Sequence, residues 1–416
     1  MASRSLLELD AAVAIVRAAA GVLPAEELPL GLATLGRVLA EDVIATAAVP
    51  PFDGSAMDGF AVRAGDLAGA APGAPVSLEV IGESRAGEPA ATALRAGEAV
   101  AISTGAVIPA GADAVVPVEQ TVAGENGTTA FLEAPAPGAW VRRAGEDIAA
   151  GSRVLARGTR VGAAELGVLA SVGRATVRLT RRPAVSLLVT GDELLGAGEE
   201  PRAGAIRDSN SLTIQALVQS AGGEVVDSGA LPDERTATQR GIAAALERAD
   251  VAIICGGVSV GVHDHVRPAL AALGVRELFW GVALKPGRPT WFGTRGRTLV
   301  FGLPGNPVSA MVTFVLLAAP ALRTLLGSTA APAPASALLD SDYAKTPGRA
   351  HAVRCRLRAA EDGLHAQPTG AQGSHILTSM LGADALALIP AESEGVRAGE
   401  RVRIEPLGPS LLGSGR

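Results

Sequence analysis

Carboxylate side chains recur in short loops that follow apolar runs between residues 183 and about 326. Glu193 lies in "TGDEL", Asp233 in "LPDE" and Asp264 in "GVHDH". The preceding runs, such as "AVSLLVT" and "DVAIICGG", have the length and composition of buried parallel strands. Because open parallel α/β sheets bind ligands beyond the carboxyl ends of their strands, these carboxylates are expected at one site.

Two glycine-containing loops in the same region are suited to binding an anion. "GGVSVG", with Gly256, Gly257 and Ser259, permits the backbone geometry of an anion-binding nest of N–H groups. In "LPGNPVSA", Asn306 can cap a helix whose first position is Pro307, and such a helix start offers free N–H groups.

A basic pair, Lys285 and Arg288, lies in "LKPGRP". Carboxylates alone would repel a phosphate. Carboxylates beside N–H nests and cations suit an anionic ligand that is bridged by Mg²⁺. We therefore predict a phosphate or nucleotide-like ligand at this edge of the sheet.

Each of these features alone also has a structural interpretation. Asp233 could start the helix that follows it, Glu193 could pair with a surface arginine, and the basic pair could be solvated. Cys255, on an apolar strand, is expected in the core. Five such loops at one edge of a sheet favour the ligand site.

The elements that position these residues form an α/β unit over residues 182–327. Apolar strands alternate with helices predicted over 209–221, 235–248 and 264–273 and from Asn306 onward, a pattern typical of a parallel sheet.

The rest of the chain predicts further domains, so the fold class is multidomain α/β plus β. Residues 47–145 form a β-rich domain with short alternating runs, and 336–416 form a small C-terminal, barrel-like β domain. Residues 1–46 and 146–181 are assigned to an N-terminal helix and a small linking domain.

Composition excludes several classes of protein. A chain of 416 residues is too long for one compact core, so several domains are expected, and a net charge of −6 argues against binding nucleic acid. Two cysteines without CxxC spacing exclude a disulfide framework or a structural zinc site. Glu8 and Asp10 interrupt any secretory segment, and the apolar run Met311–Leu322 is too short to span a bilayer. We expect a cytoplasmic protein that does not bind membranes.

The β-rich region carries a second set of polar residues. "PPFDGSAMDGFAV" contains Ser55 and Asp58, "STGAVIPAGADAVV" contains Thr104, and "RRAGEDI" contains Asp147. Each of these alone is compatible with ordinary turn chemistry.

These segments, taken in order, resemble the molybdopterin molybdenumtransferase family, whose members include bacterial MoeA and the E domain of gephyrin. "DSNSLTI", "CGGVSVGVHDHV", "GLPGNPVSAMVTF" and "GSHILTSMLGADALALIP" also carry the resemblance, which runs from residue 50 to about 390. "SAMDG" together with "GLPGNPVSA" is the specific part of the signal.

The resemblance implies an elongated homodimer of four-domain subunits, with one domain similar to the molybdopterin adenylyltransferase fold. The active cleft would lie between that domain and the β-rich part, with the partner subunit contributing. Adenylated molybdopterin and molybdate would be the substrates and Mg²⁺ the metal. The adenylyltransferase and apo-molybdoenzymes are further candidate protein partners.

Position by position, the resemblance also implies functional residues. The polar residues that match the family's catalytic positions are Asp58, Thr104, Asp147, Glu193, Asp233 and Asp264. Glu193, Asp233 and Asp264 are the candidates for holding Mg²⁺ and the adenylate phosphate. The candidate substrate-binding residues are Ser55, Gly256, Gly257, Ser259, Lys285, Arg288, Pro304, Asn306, Pro307, Ser309, Arg349 and Ser374.

Three positions depart from the family pattern. Arg288 stands where lysine is usual, which keeps the charge but changes the hydrogen-bond geometry. His263 and His265 flank Asp264, and Phe60 replaces a frequent tyrosine. None of these changes removes a required charge.

The function that the resemblance implies is molybdenum insertion: molybdate is ligated to adenylated molybdopterin and AMP is released with the help of Mg²⁺. Two alternatives stay open. An adenylyltransferase would use ATP on the same α/β unit, and a scaffold of the gephyrin E-domain type would bind without turnover.

Overall fold

A computed structural model describes residues 5–258, 265–329 and 335–408. These residues form an α/β region, a β-rich region, a small linking region and a C-terminal β-barrel. The predicted multidomain α/β plus β class is confirmed.

The α/β region is built on a six-stranded sheet. Its strands are β1 (Ala184–Thr190), β2 (Glu224–Leu231), β3 (Val251–Cys255), β4 (Arg276–Trp280), β5 (Trp291–Arg295) and β6 (Thr298–Leu303). The spatial order is β2-β1-β3-β6-β5-β4. β1 is parallel to β2 and β3, and β3 is parallel to β6. β5 is antiparallel to both of its neighbours, so β4 runs in the same direction as the parallel strands.

Helices cover both faces of this sheet. They are α1 (Asn210–Ser220), α2 (Arg235–Arg248), α3 (Val266–Ala272), α4 (Pro307–Thr313) and α5 (Ala319–Leu325), with a π-helical turn over Phe314–Ala318 joining the last two. Successive strand residues point to opposite faces. Accordingly, Leu187 packs in the cluster with Ile214 of α1, and Leu188 in the cluster with Ile242 of α2.

The sequence did not predict strand β5, which makes the sheet mixed. Gly293 lies within β5, and a glycine weakens the strand signal of a short segment. The glycine is required by packing, since a Cβ at this position would lie 2.4 Å from Trp291 Cη2.

The N-terminal helix Leu9–Ala19 packs on the α/β region. Its buried residues Leu9, Ala12 and Val16 join the same apolar cluster as Ile214. The segment before the helix is also tied to this region, because the Leu7 N–H donates to the Gly281 carbonyl at 3.1 Å.

The β-rich region is inserted in the sequence of the linking region, whose strands lie both before and after it. The β-rich region is a curled six-stranded sheet in the order Ala114–Pro117, Gly59–Val62, Glu98–Ile102, Val76–Ser84, Thr128–Phe131 and Thr121–Ala123. The linking region consists of strands Ala25–Pro29, Val43–Ile44, Arg153–Leu155 and Thr176–Thr180 with helix Ala163–Ser171.

The C-terminal region is a closed barrel. Its strands are Ala335–Leu339, Ala350–Ala360, Gly363–Pro368, Ala385–Ile389 and Arg401–Pro406. The long strand Ala350–Ala360 pairs with both Gly363–Pro368 and Ala385–Ile389, which closes the barrel. A short strand of the α/β region, Leu284–Lys285, adds in parallel to Ala350–Ala360 and places Lys285 opposite His351. The two regions are therefore joined by backbone pairing.

The segment Pro307–Leu325 is long and apolar enough to cross a bilayer, with a mean hydropathy of 1.7. Because 83% of its apolar 18-residue window is buried inside the protein, it belongs to the core of the α/β region.

Candidate functional site

The carboxyl ends of β1, β2, β3, β4 and β6 lie at one edge of the sheet, where two cavities adjoin. The basic cavity, about 550 Å³, is lined by Leu284–Pro289, Pro304, Asn306, Ser309, Tyr343, Arg349 and Gln372–His375. The strand-end cavity, about 370 Å³, is lined by Val189, Thr190, Glu193, Leu194, Ile206, Asn210, Cys255–Val258, Pro289 and Pro304–Asn306. Pro289, Pro304 and Asn306 belong to both walls.

The basic cavity presents three cations, Lys285, Arg288 and Arg349. Its wall contains no described carboxylate, and none of the three cations forms a salt bridge with a carboxylate in the described ranges. Cations without a carboxylate partner in the described ranges suit a small dianion.

His351 is a buried side chain next to these cations, opposite Lys285 in the strand pairing. Its Nδ1 lies 3.1 Å from the Tyr343 hydroxyl. Burial, together with the nearby cations Lys285, Lys345 and Arg349, lowers the pKa of His351 to about 4. The imidazole is therefore neutral at physiological pH, and it adds no charge of its own.

The wall between the cavities is held by contacts between the α/β region and the barrel. Asn306 Nδ2 donates to Ser374 Oγ at 3.1 Å, and the Val308 N–H donates to the Ser374 carbonyl at 3.3 Å. Asn306 does occupy the position before α4, but its side chain makes no capping bond. The predicted role of this helix start as a donor to phosphate is therefore reduced, since the Val308 N–H is already used.

The strand-end cavity includes the glycine turn that follows β3. Gly256 and Gly257 adopt φ of +93° and +62°, which the sequence predicted for a nest. A Cβ at Gly256 would lie 2.7 Å from Thr190 Oγ1, and one at Gly257 would lie 2.6 Å from Val266 Cγ2. The next residues of the predicted loop, Ser259 and Asp264 among them, lie outside the described residues.

Polar side chains complete this cavity. Asn210 Nδ2 donates to the Gly305 carbonyl at 2.7 Å, whereas its buried Oδ1 has no hydrogen-bond partner among the described residues. Glu193 supplies a carboxylate to the wall. A hydrogen-bond donor of a ligand, or a cation, would satisfy both the Asn210 amide oxygen and the Glu193 carboxylate at this place.

Asp233 lies near this wall but does not line it. The Asp233 N–H donates to Asp192 Oδ1 at 3.1 Å, so the two loops after β1 and β2 are joined. The side chain that caps α2 is Glu234, which accepts from the N–H groups of Thr236 and Ala237 at 2.8 and 2.7 Å. Hydrogen bonding at this cap lowers the pKa of Glu234. The Asp233 side chain is therefore not used as the helix cap.

The described residues include no group of three or more His, Cys, Asp or Glu side chains that could hold a metal. The predicted set of Glu193, Asp233 and Asp264 is thus not assembled by the part of the chain that is described. Mg²⁺ is often held by one or two carboxylates together with phosphate oxygens of the substrate. Glu193 beside the Gly256–Gly257 nest fits that arrangement.

The polar residues of the β-rich region lie on other loops. The Thr104 N–H donates to Asp58 Oδ1 at 2.6 Å, and both residues are exposed. Ser55 is buried, and its hydroxyl donates to the Met57 carbonyl at 2.6 Å, so it shapes the loop that carries Asp58. Asp147 is exposed in a neighbouring turn. None of these residues lines either cavity of the same chain.

A contact that the sequence analysis missed joins the loops of this surface. Arg143 Nη1 donates to Asp53 Oδ2 at 2.7 Å, and the Ala144 N–H donates to Asp53 Oδ1 at 2.8 Å. These bonds lower the pKa of Asp53. The ion pair fixes the segment that precedes Ser55 and Asp58 against the segment that precedes Asp147.

Comparisons with known proteins cover nearly the whole chain. Residues 7–173 match the MoeA N-terminal region (domain I and II), 186–324 match a probable molybdopterin binding domain, and 336–407 match the MoeA C-terminal region (domain IV). The chain belongs to the MoeA family.

Individual MoeA relatives agree with this assignment. The molybdopterin molybdenumtransferase of Haemophilus influenzae is 40% identical over 91% of this chain and 92% of its own length. That of Bacillus subtilis is 37% identical over 89% and 87%. A crystal structure of the MoeA protein from Pyrococcus horikosii superposes with a TM-score of 0.83 at 33% identity, covering 97% of this chain and 99% of that one.

In this MoeA-family chain, the residues that sequence reasoning missed lie mostly in the barrel. Tyr343, Gln372 and His351 surround the predicted Arg349 and Ser374. The turn "TGAQGSH" was a signal for Gln372, because two glycines near one predicted binding residue indicate a shaped loop. No local signal pointed to His351, which meets Lys285 only through strand pairing.

Proposed function

We propose that this chain inserts molybdenum into adenylated molybdopterin, with molybdate as the metal donor. Molybdenum insertion as such was predicted from the sequence, and the names of relatives along nearly the full chain confirm it. Adenylation, AMP release and Mg²⁺ are the finer parts of the proposal.

The observation that carries the proposal is the pair of adjoining cavities with different chemistry. One is cationic without a described carboxylate, and the other combines a glycine nest with Glu193. Molybdate is a tetrahedral dianion, so it suits Lys285, Arg288 and Arg349. The adenylate phosphates suit the nest.

The shared wall gives this assignment a geometric reason. Because Pro289, Pro304 and Asn306 border both cavities, ligands in the two cavities would approach each other there. The dithiolene thiols would displace oxo groups of molybdate, which would leave as water with the thiol protons, and hydrolysis of the phosphoanhydride would release AMP. The chain's own residues position the two anions and neutralise their charge.

Mg²⁺, when bound, would neutralise phosphate charge and polarise the leaving phosphoryl group. Glu193 is the side chain that would hold it. Asp233 and Asp264 remain proposed as further ligands of the metal.

The exposed loops with Asp58, Thr104 and Asp147 are proposed to complete the site from the partner subunit of a homodimer. None of the three lines either cavity of the same chain, which supports a contribution from another copy. Cytoplasmic location and contacts with the adenylyltransferase or with apo-molybdoenzymes belong to the same proposal.

The experiment mixes purified protein, adenylated molybdopterin, Mg²⁺ and molybdate, and it follows AMP release and molybdenum retained on the pterin. Molybdate-dependent AMP release that is lost in Glu193→Gln and Asp58→Asn supports the proposal. Glu200→Gln and Glu133→Gln change exposed carboxylates of the same two regions and serve as controls. AMP-forming turnover from ATP alone would indicate an adenylyltransferase, and binding without turnover would indicate a scaffold.

A further inference from the structure

Two arginines are buried in the described parts of the chain, and they differ in their partners. Arg37 is 6% exposed, bonds the carboxylate of Glu26 and donates to the Thr180 carbonyl at 3.0 Å. Arg354 is 1% exposed, and within the described residues it has no carboxylate partner. A buried charge without a counter-ion is costly, so its presence calls for a function.

Arg354 organises the loop that forms one wall of the basic cavity. Its Nη2 donates to the Gly373 carbonyl at 3.3 Å, and its Nε donates to Ser379 Oγ at 3.2 Å. Its backbone N–H donates to Gln372 Oε1 at 2.9 Å, and Gln372 Nε2 returns a bond to the Arg354 carbonyl at 3.3 Å. The loop is thus fixed from beneath at two successive residues, Gln372 and Gly373.

These bonds, together with one from the Ile376 N–H to the Gly373 carbonyl at 3.3 Å, set the direction of one backbone N–H group. The Gly373–Ser374 peptide is trans, and in a trans peptide the C=O and the following N–H point in opposite directions. Because the Gly373 carbonyl faces Arg354, the Ser374 N–H faces away from it. Ser374 lines the basic cavity, and its N–H has no partner within the described residues.

We propose that Arg354 is a positioning residue for the oxyanion: it directs the Ser374 N–H into the basic cavity and places a buried positive charge one peptide group behind the anion. This proposal rests on the function proposed above for that cavity. The bound oxyanion is then the counter-charge that Arg354 lacks.

The charge state of Arg354 is compatible with this role. Burial lowers the pKa of Arg354, yet an arginine side chain stays protonated in proteins. Donors that are oriented in advance toward an anion cost no reorganisation when it binds. A charge-assisted hydrogen bond contributes about 1.5–3 kcal/mol, which corresponds to about 10- to 100-fold in affinity.

The test measures the Kd of molybdate by calorimetry, and the KM values of molybdate and of adenylated molybdopterin, for the wild type, Arg354→Met and Arg37→Met. We expect Arg354→Met to raise the Kd and KM of molybdate about 10-fold or more, with the KM of adenylated molybdopterin within about twofold of the wild type. Arg37→Met should lower the Tm and leave the molybdate constants unchanged.

Arg354→Lys keeps the charge but cannot bond Gly373 and Ser379 with a planar fork. We expect this variant to bind molybdate more tightly than Arg354→Met but less tightly than the wild type, and it replaces Arg354→Met in the test if that variant does not fold.

Molybdate Kd and KM values within about twofold of the wild type in folded Arg354 variants would overturn the proposal, as would equal rises in the KM values of both substrates. If the wild type itself neither binds molybdate nor turns over, the proposed function has failed, and the role of Arg354 in oxyanion binding fails with it. Wild-type binding with unaffected Arg354 variants overturns the positioning role alone.

Discussion

The two cavities at the sheet edge share a wall but are built in different ways. The strand-end cavity is formed by the ends of strands in one region, and the groups proposed to bind an anion there are backbone N–H groups of the turn that follows Gly256, whose own N–H donates to the Leu303 carbonyl at 3.0 Å. The basic cavity is formed where the α/β region meets the barrel, and the groups proposed to bind an anion there are side chains such as Lys285 and Arg349. Substitutions should therefore act on conformation in the first cavity and on charge in the second.

The largest expected effect is on the strand-end cavity. Gly256→Ala should destabilise the folded protein by about 2–4 kcal/mol, because it adds a contact at 2.7 Å to Thr190 Oγ1 at a φ of +93°. Chemical denaturation measures this change. Gly97→Ala is the matched control, since Gly97 has a φ of +83° and nothing within 4 Å of an added Cβ. Equal losses in the two variants would contradict the crowding argument.

Removal of a charge should come next. Lys285→Ala is expected to raise the KM of molybdate about 10- to 100-fold while the Tm stays nearly constant, since the side chain has no salt bridge among the described residues to lose. Steady-state AMP release at saturating pterin substrate measures it. Arg248→Ala, an exposed arginine at the end of α2, controls for net charge. If the KM of adenylated molybdopterin changed and that of molybdate did not, the ligands assigned to the two cavities would have to be exchanged.

Burial of His351, together with the cations near it, should also appear in the pH dependence of stability. Because the pKa of His351 is about 4 in the folded chain and about 6.5 in an unfolded one, its contribution is complete above pH 6.5. It is lost as the pH falls from 6.5 toward 4, by about 1–2 kcal/mol between pH 7 and 5. In the His351→Gln variant, the free energy of unfolding, measured by chemical denaturation at several pH values, should depend less on pH in that window.

The groups that face His351 are Lys285, Lys345, Arg349 and Tyr343. NMR titration of the Lys285→Ala variant measures the pKa of His351 without one of these cations. A pKa that returns toward its ordinary value would show that the cations contribute to the shift. An unchanged pKa would assign the shift to burial alone.

The smallest effect is expected from Arg288→Lys, which keeps the charge. If the basic cavity selects its ligand mainly by charge, the KM of molybdate should change less than about fivefold, that is by less than about 1 kcal/mol. Kinetics at several salt concentrations measure it. A loss as large as that in Lys285→Ala would show that the guanidinium makes a geometric contact that lysine cannot replace.

Local patterns in the sequence were sufficient to predict most elements of the α/β region. The predicted helices over 209–221 and 235–248 correspond to α1 and α2, and the apolar run "AVSLLVT" is β1. The exception is β5, where Gly293 interrupts the β-forming residues. The predicted "ELFWGVAL" strand ends at Trp280, because its last residues leave the sheet and pair with the barrel.

The candidate site was predictable only in part. Lys285, Arg288, Ser309, Arg349 and Ser374 were predicted and lie in one cavity wall. His351 and Arg354 were not, because their environment depends on strand pairing between residues more than sixty positions apart and on a loop that folds back over the barrel. The roles predicted for Asp58, Thr104 and Asp147 stay predictions, since these residues lie on loops away from both cavities.

The most direct test of the account is a crystal structure of the protein with tungstate, a heavier analogue of molybdate, located by its anomalous scattering. We expect a single strong peak in the basic cavity, within hydrogen-bond distance of Lys285 and Arg349, that is absent in the Lys285→Ala variant. A peak only in the strand-end cavity, or none in the basic cavity at saturating tungstate, would contradict the assignment of the two cavities.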